Sequence, residues 1–264
     1  YIIKQQSHHS DITTIAFSPD SQILASGGND GKVKLWNTTT GFCYVTFSDH
    51  KDAIKRIQFL PQTGNAIISA SLDGTVRAYD ILRYKNFRVM TSPKPVQFNS
   101  LAVDPSGELV CAGSLDPYDI YMWNLQTGQL LEVLTGHTGP ISCLQFSPVD
   151  DKLVSGSWDK TIRVWNVYER KGIPDVLEHQ NEVLDVAFRM DGASGAQVVS
   201  TSLDGQIYVW DVEMAVLRGV IEGRRDVCGG RKEADTMSSK KSSQNKHFNS
   251  LSFMADGNTA IAGG

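Results

Sequence analysis

Apolar residues recur along this chain in short pulses with a spacing of two. Ile15 and Phe17, Ile57 and Phe59, Leu101 and Val103, Leu144 and Phe146, and Val186 and Phe188 are such pairs. That spacing places both side chains on one face of a β-strand and does not suit a helix. A turn such as SPDSQ or DPSGE follows, then a short apolar run such as ILASG or LVSGS, a tight turn containing Asp, and a third run ending in an aromatic residue. A fourth run, CYVTF or LLEVL, precedes a loop that usually contains His. The pattern predicts four short antiparallel strands per unit, apolar on both faces, so each sheet needs neighbours to cover it.

Five Asp-centred stretches share nearly one form: ASGGNDGKVKLW, SASLDGTVRAY, CAGSLDPYDIYMW, SGSWDKTIRVW and STSLDGQIYVW. Their aspartates, Asp30, Asp73, Asp116, Asp159 and Asp204, lie 43, 43, 43 and 45 residues apart, and Trp36, Tyr79, Trp123, Trp165 and Trp210 keep the same beat. A repeat of this period marks an array of one supersecondary unit, the arrangement of propeller blades. The repeats are expected at about 7–48, 49–92, 93–135, 136–178 and 179–222, followed by a long loop at 222–246 and a partial repeat at 247–264. The opening YIIKQQ reads as the last strand of an earlier unit, and HFNSLSFMADGNTAIAGG as the first two strands of another. Further chain is expected at both ends.

These units resemble WD repeats. GHTGPISCLQFSPVDDKLVSGSWDKTIRVWN fits best, with His137, Ser155, Asp159 and Trp165 at the family's four hydrogen-bonding positions. The first unit offers His9, Ser26, Asp30 and Trp36; the second His50, Ser69 and Asp73, with Tyr79 as its aromatic; the fifth His179, Ser200, Asp204 and Trp210. The resemblance implies that Asp accepts from His and that a His–Ser–Trp relay ties the loop to the strands. A buried indole N–H needs an acceptor in any case, and a satisfied network stiffens the sheet that holds it. The fold implied is all-β, a propeller of four-stranded antiparallel blades. Seven such units need roughly 300 residues, so the chain is expected to form an incomplete seven-bladed ring.

Ser, His and Asp in one unit also invite a hydrolase reading, since that trio activates a nucleophile when hydrogen-bonded in series. The trio recurs in four units, however, and no GxSxG elbow occurs, so a structural network is expected. The glycine-rich turns lack phosphate-loop spacing, and His8 and His9 are adjacent, one of them the loop His and the other solvent-exposed. Cys43, Cys111, Cys143 and Cys228 form no CxxC pair, and three of them sit in apolar runs and read as small hydrophobes, which fits a reducing compartment. Catalytic, cofactor and metal sites are therefore not expected. A net charge of −4 provides no overall basic field for nucleic acid, and the apolar runs fall short of the ~18 residues of a membrane span.

Two places break the rhythm. The third unit has no His in TSPKPVQFNSLAVD, carries Ala112 where the others have Ser, and its turn around Pro117 and Tyr118 is one residue longer. The second break is EGRRDVCGGRKEADTMSSKKSSQNK, where Arg224, Arg225, Arg231, Lys232, Lys240 and Lys241 make a locally basic stretch. It is either a solvated insertion or a contact for RNA phosphates or an acidic partner. Both breaks fall on one rim of a propeller and are candidate partner surfaces. Their wording resembles eukaryotic WD-repeat scaffolds of the small-subunit processome. That resemblance implies a non-enzymatic nucleolar scaffold for small ribosomal subunit assembly and pre-rRNA processing. Its partners would be other propeller proteins of a processome subcomplex, with pre-rRNA or small nucleolar RNA meeting the basic loop, and neither membrane nor small-molecule substrate. The alternative is a peptide or substrate receptor, such as a ubiquitin-ligase adaptor or a histone-tail binder.

Overall fold

A computed structural model describes residues 7–148, 150–167, 175–191, 195–222, 247–253 and 259–264. All its regular elements are strands. Sheet one holds β1 (Ile12–Phe17), β2 (Ile23–Gly28), β3 (Val33–Asn37) and β4 (Cys43–Phe47). Sheet two holds β5 (Ile54–Phe59), β6 (Ala66–Ser71), β7 (Thr75–Asp80) and β8 (Lys85–Thr91). Sheet three holds β9 (Phe98–Val103), β10 (Leu109–Ser114), β11 (Ile120–Asn124) and β12 (Leu130–Leu134), and sheet four β13 (Ile141–Phe146), β14 (Lys152–Ser157), β15 (Thr161–Asn166) and β16 (Asp175–Glu178). Sheet five holds β17 (Val183–Asp191), β18 (Gly195–Ser202), β19 (Gln206–Asp211) and β20 (Val216–Glu222); sheet six pairs β21 (Ser250–Phe253) with β22 (Ala260–Gly263). Every pairing is antiparallel between strands consecutive in sequence, which is the all-β blade architecture expected from the repeat. No helix among the described residues is long and apolar enough to cross a membrane.

The first strands pack side by side in the order β1, β5, β9, β13, β17, β21, and β2, β6, β10 and β14 each lean on the first strand of the following sheet. The apolar core is accordingly a series of interfaces. Leu35, Ile57, Phe59 and Ile67 join sheets one and two; Ile68, Phe98, Leu101 and Trp123 join two and three; Cys111, Ile141, Leu144 and Leu153 join three and four. Each fully buried Ile, Leu or Phe contributes about 1.5–3 kcal/mol, so every interface stabilises both sheets that form it. The approach is close: a Cβ on Gly113 would stand 2.6 Å from Ile141 Cγ2. Where no described sheet covers a first strand, the same positions are bare, with Ile15 61% exposed against 4% for Ile57.

The first strands of sheets one to five carry a register shift near their start, as at Ile54/Arg56 and Val183/Asp185. Polar side chains at these shifts and farther along the same strands satisfy backbone groups of the adjoining sheet. Thr13 Oγ1 donates to the Ile54 carbonyl, and Ser142 Oγ to the Val183 carbonyl at 2.7 Å. Gln58 Oε1 accepts from the Val103 amide at 3.1 Å, and Gln145 Oε1 from the Phe188 amide at 3.0 Å. Because strands run up and down in turn, the Asp turns and the loops entering each sheet share one face of the array.

Candidate functional site

Sheet four shows the relay in full. Trp165 Nε1 donates to Ser155 Oγ at 2.8 Å, Ser155 Oγ lies 2.7 Å from His137 Nε2, and His137 Nδ1 lies 2.7 Å from Asp159 Oδ2. Since Ser155 accepts from the indole, its own proton goes to Nε2, which leaves the imidazole proton on Nδ1 to be donated to Asp159. Asp159 also accepts from the Thr138 amide at 3.0 Å and from the Thr161 hydroxyl at 2.6 Å. Burial by itself pushes the Asp159 carboxyl up, but bonds from His137, Thr161 and the Thr138 amide outweigh it and hold the group well below the ordinary carboxylate range. Thr161 was not among the residues expected; its signal is a Thr two places after the Asp, repeated at Thr75, which donates to Asp73 at 2.7 Å.

In sheet two, His50 bridges Asp73 and Ser69 at 2.9 and 2.7 Å, and Asp73 is held low by the same balance: burial raises it, while His50, Thr75 and the Lys51 amide lower it further. The relay stops there. Tyr79 stacks on Phe47 with centroids 4.3 Å apart, and its hydroxyl has no hydrogen-bond partner among the described residues.

Two expectations need correction. In sheet one the ring that enters the relay is His8, not His9: Nδ1 is 2.9 Å from Asp30 Oδ1 and Nε2 is 2.8 Å from Ser26 Oγ, which accepts from Trp36 at 2.8 Å. His9 contributes only its backbone N–H, 3.2 Å from Asp30 Oδ2, as Lys51 and Thr138 do in their sheets. In sheet five His179 and Asp204 do not meet. Asp204 Oδ2 accepts instead from the Tyr208 hydroxyl at 2.8 Å, while His179 Nε2 stays 2.8 Å from Ser200 Oγ, near Trp210 Nε1. His179 Nδ1 is buried without a hydrogen-bond partner among the described residues. Desolvation brings the pKa of this ring down to about 4, against opposing pulls from the Leu177 backbone and the Asp204 charge, so it is neutral.

Sheet three meets the same demand differently. Trp123 Nε1 donates to the Thr91 carbonyl at 3.2 Å, at the end of β8 in the preceding sheet. Phe98 and Tyr121 pack on the indole at centroid distances of 5.5 and 6.0 Å. The turn closes on Ser114, whose hydroxyl donates to the Asp119 carbonyl and accepts from the Asp119 amide, both at 2.9 Å. Asp116 and Pro117 are exposed and Tyr118 half-buried, on the face that carries the relays. The residues of the basic stretch, Arg224, Arg225, Arg231, Lys232, Lys240 and Lys241, lie outside the described residues, as does YIIKQQ.

The relays are braces by construction. Ser155 and Ser200 are 0% exposed, and each hydroxyl is spent on an indole donor and an imidazole acceptor, so neither meets a substrate. Among the described residues no group of three or more His, Cys, Asp or Glu is placed to hold a metal ion. Burial pushes the Cys143 thiol up to about 12, with the Asp185 charge adding to it, which keeps it protonated.

Residues 2–37, 41–80, 128–166 and 174–211, together more than half of the chain, match the family described as WD domain, G-beta repeat. The unmatched stretch between residues 80 and 128 holds most of sheet three. Along its whole length the chain is 47% identical to Periodic tryptophan protein 2 of Arabidopsis thaliana, 47% to the Periodic tryptophan protein 2 homolog of Mus musculus and 45% to Periodic tryptophan protein 2 of Saccharomyces cerevisiae. It spans 29%, 28% and 28% of those proteins, less than a third of each. The crystal structure of the computationally designed Ika8 protein is similar with a TM-score of 0.74 at 28% identity, over 99% of this chain and 70% of that one.

Proposed function

Because the chain belongs to the WD-repeat family, we propose that it is the rigid, non-enzymatic part of a scaffold for small ribosomal subunit assembly and pre-rRNA processing. The observation that carries this reading is whole-length identity of 45–47% to Periodic tryptophan protein 2 of a plant, a mammal and a yeast. The braced geometry supports it physically: the relays hold loop to strand in sheets one, two and four, so the rim carries fixed shapes on which partners dock without paying for loop ordering. Other propeller proteins of a processome subcomplex are the partners of this reading, with the turn at Pro117 and Tyr118 as one docking surface. Arg224, Arg225, Arg231, Lys232, Lys240 and Lys241 form its contact to pre-rRNA or small nucleolar RNA, and its place is the nucleolus.

Affinity purification of the full-length protein tests the reading. Recovery of small-subunit precursors supports it, and recovery of a ubiquitin-ligase core or of histone tails in their place overturns it. Deletion of residues 226–245 addresses the RNA contact: RNA retention falls and its salt dependence flattens if the basic residues bind phosphate. Unchanged retention across salt concentrations removes that contact from the proposal.

A further inference from the structure

Asp185, in β17, is a carboxylate only 2% exposed. Its Oδ1 accepts from the Val186 amide at 3.1 Å and its Oδ2 from the Leu251 amide of β21 at 2.8 Å. It thus does for the junction of sheets five and six what neutral Thr, Gln and Ser side chains do at the earlier junctions. A buried carboxylate needs a compensating cation. It comes from Arg56, whose Nη2 lies 3.5 Å from Asp185 Oδ1. Arg56 belongs to β5 of sheet two, and β9 and β13 stand between β5 and β17 in the packing order, so the side chain crosses the middle of the array. Arg56 and Asp185 hold the same place in their strands, directly after the register shift, where sheets one, three and four have Thr14, Ser100 and Cys143.

We propose that Arg56 and Asp185 form an ionic strut across the middle of the propeller that fastens sheet six, where the described chain resumes after the basic stretch, to sheet five. Among the described residues the apolar contact of sheet six with sheet five is small: Leu251 is buried against Ala187 and Val199, and Phe253 and Ala262 pack partly buried beside it. Burial pushes the Asp185 carboxyl up, and Arg56 with the Leu251 and Val186 amides pulls it part of the way back.

Hydrogen exchange at the Leu251 amide in the full-length protein tests the strut, with the Phe188 amide, held by Gln145, as the internal control. Arg56→Met leaves Asp185 without its cation, and Leu251 exchange is expected to accelerate about tenfold while Phe188 is unchanged. Asp185→Asn keeps an oxygen for the Leu251 amide and abolishes the need for the cation. In that background Arg56→Met is expected to have no effect on Leu251. The strut is overturned if Arg56→Met leaves Leu251 at the parental rate, if Phe188 accelerates in parallel, or if the Arg56→Met effect is equally large with Asn at 185.

Discussion

Sheets three and four have the same strand order and bury the same indole, yet satisfy it by different routes. In sheet four the acceptor is Ser155, and the chain of bonds runs on through His137 to Asp159, so strand, turn and loop are held together. In sheet three a backbone carbonyl of the preceding sheet accepts from Trp123, and aromatic rings pack the space around it. The physical requirement is an acceptor for a buried N–H, and either answer meets it at similar cost. What changes is the loop. Relieved of carrying a His, the approach to sheet three can hold Pro93 and Pro95, and Asp116 is released to the surface beside Pro117.

The contrast breaks most directly at Ser155. Ser155→Ala strands Trp165 Nε1 and His137 Nε2 together, and hydrogen exchange of β14 and β15 amides should report a loss of about 2–4 kcal/mol. A loss below about 1 kcal/mol would mean that the relay braces sheet four no better than packing braces sheet three.

Acid separates the sheets next. His179 has a folded pKa of about 4 against an ordinary 6.5, so on acidification the unfolded chain takes up the proton first. Stability from the neutral ring is present above 6.5 and lost between 6.5 and 4, at most about 1.4 kcal/mol per pH unit. Asp159, held below its ordinary value of 3.8, contributes stability that falls away only below that value. Exchange of β18 amides should therefore accelerate with falling pH before that of β14 amides, after correction for intrinsic rates; simultaneous onset would refute the assignment of a neutral ring without a bond to its Asp in sheet five.

Tyr208→Phe removes the hydroxyl that occupies Asp204 and is expected to cost about 1 kcal/mol by denaturant titration of sheet five amides. The smallest effect sharpens the comparison from the other side. Ala112→Ser puts a hydroxyl back at a fully buried position of sheet three, and with no His to accept from it the change is expected to cost up to about 1 kcal/mol. A clear gain would show that the hydroxyl alone, without the relay behind it, braces a sheet.

Legibility in the sequence followed the kind of group each contact uses. Strand positions were readable because burial on one face writes a period of two, and the relay of sheet four because it needs four particular side chains. His8 and His9 were distinguishable by spacing: His8 stands 22 residues before its Asp, matching 22 and 23 for His137 and His50, and His9 stands 21 before it. Sheet five misled because all four relay residues are present; the deciding one is Tyr208, where sheets two and four have Arg77 and Arg163. The Thr91 carbonyl left no trace, since every residue has one. Arg56 and Asp185 lie in strands with no neighbour relation, which a repeat pattern does not couple.

The residue after each relay His meets its Asp through the main chain, as His9, Lys51 and Thr138 do. Its side chain is exempt from the constraint, and an imidazole, an ammonium and a hydroxyl have been accepted there. Variation at these three places should be wide in any large collection of functional variants, with one gap. Proline, which has no amide hydrogen to give, is the substitution such a collection should lack.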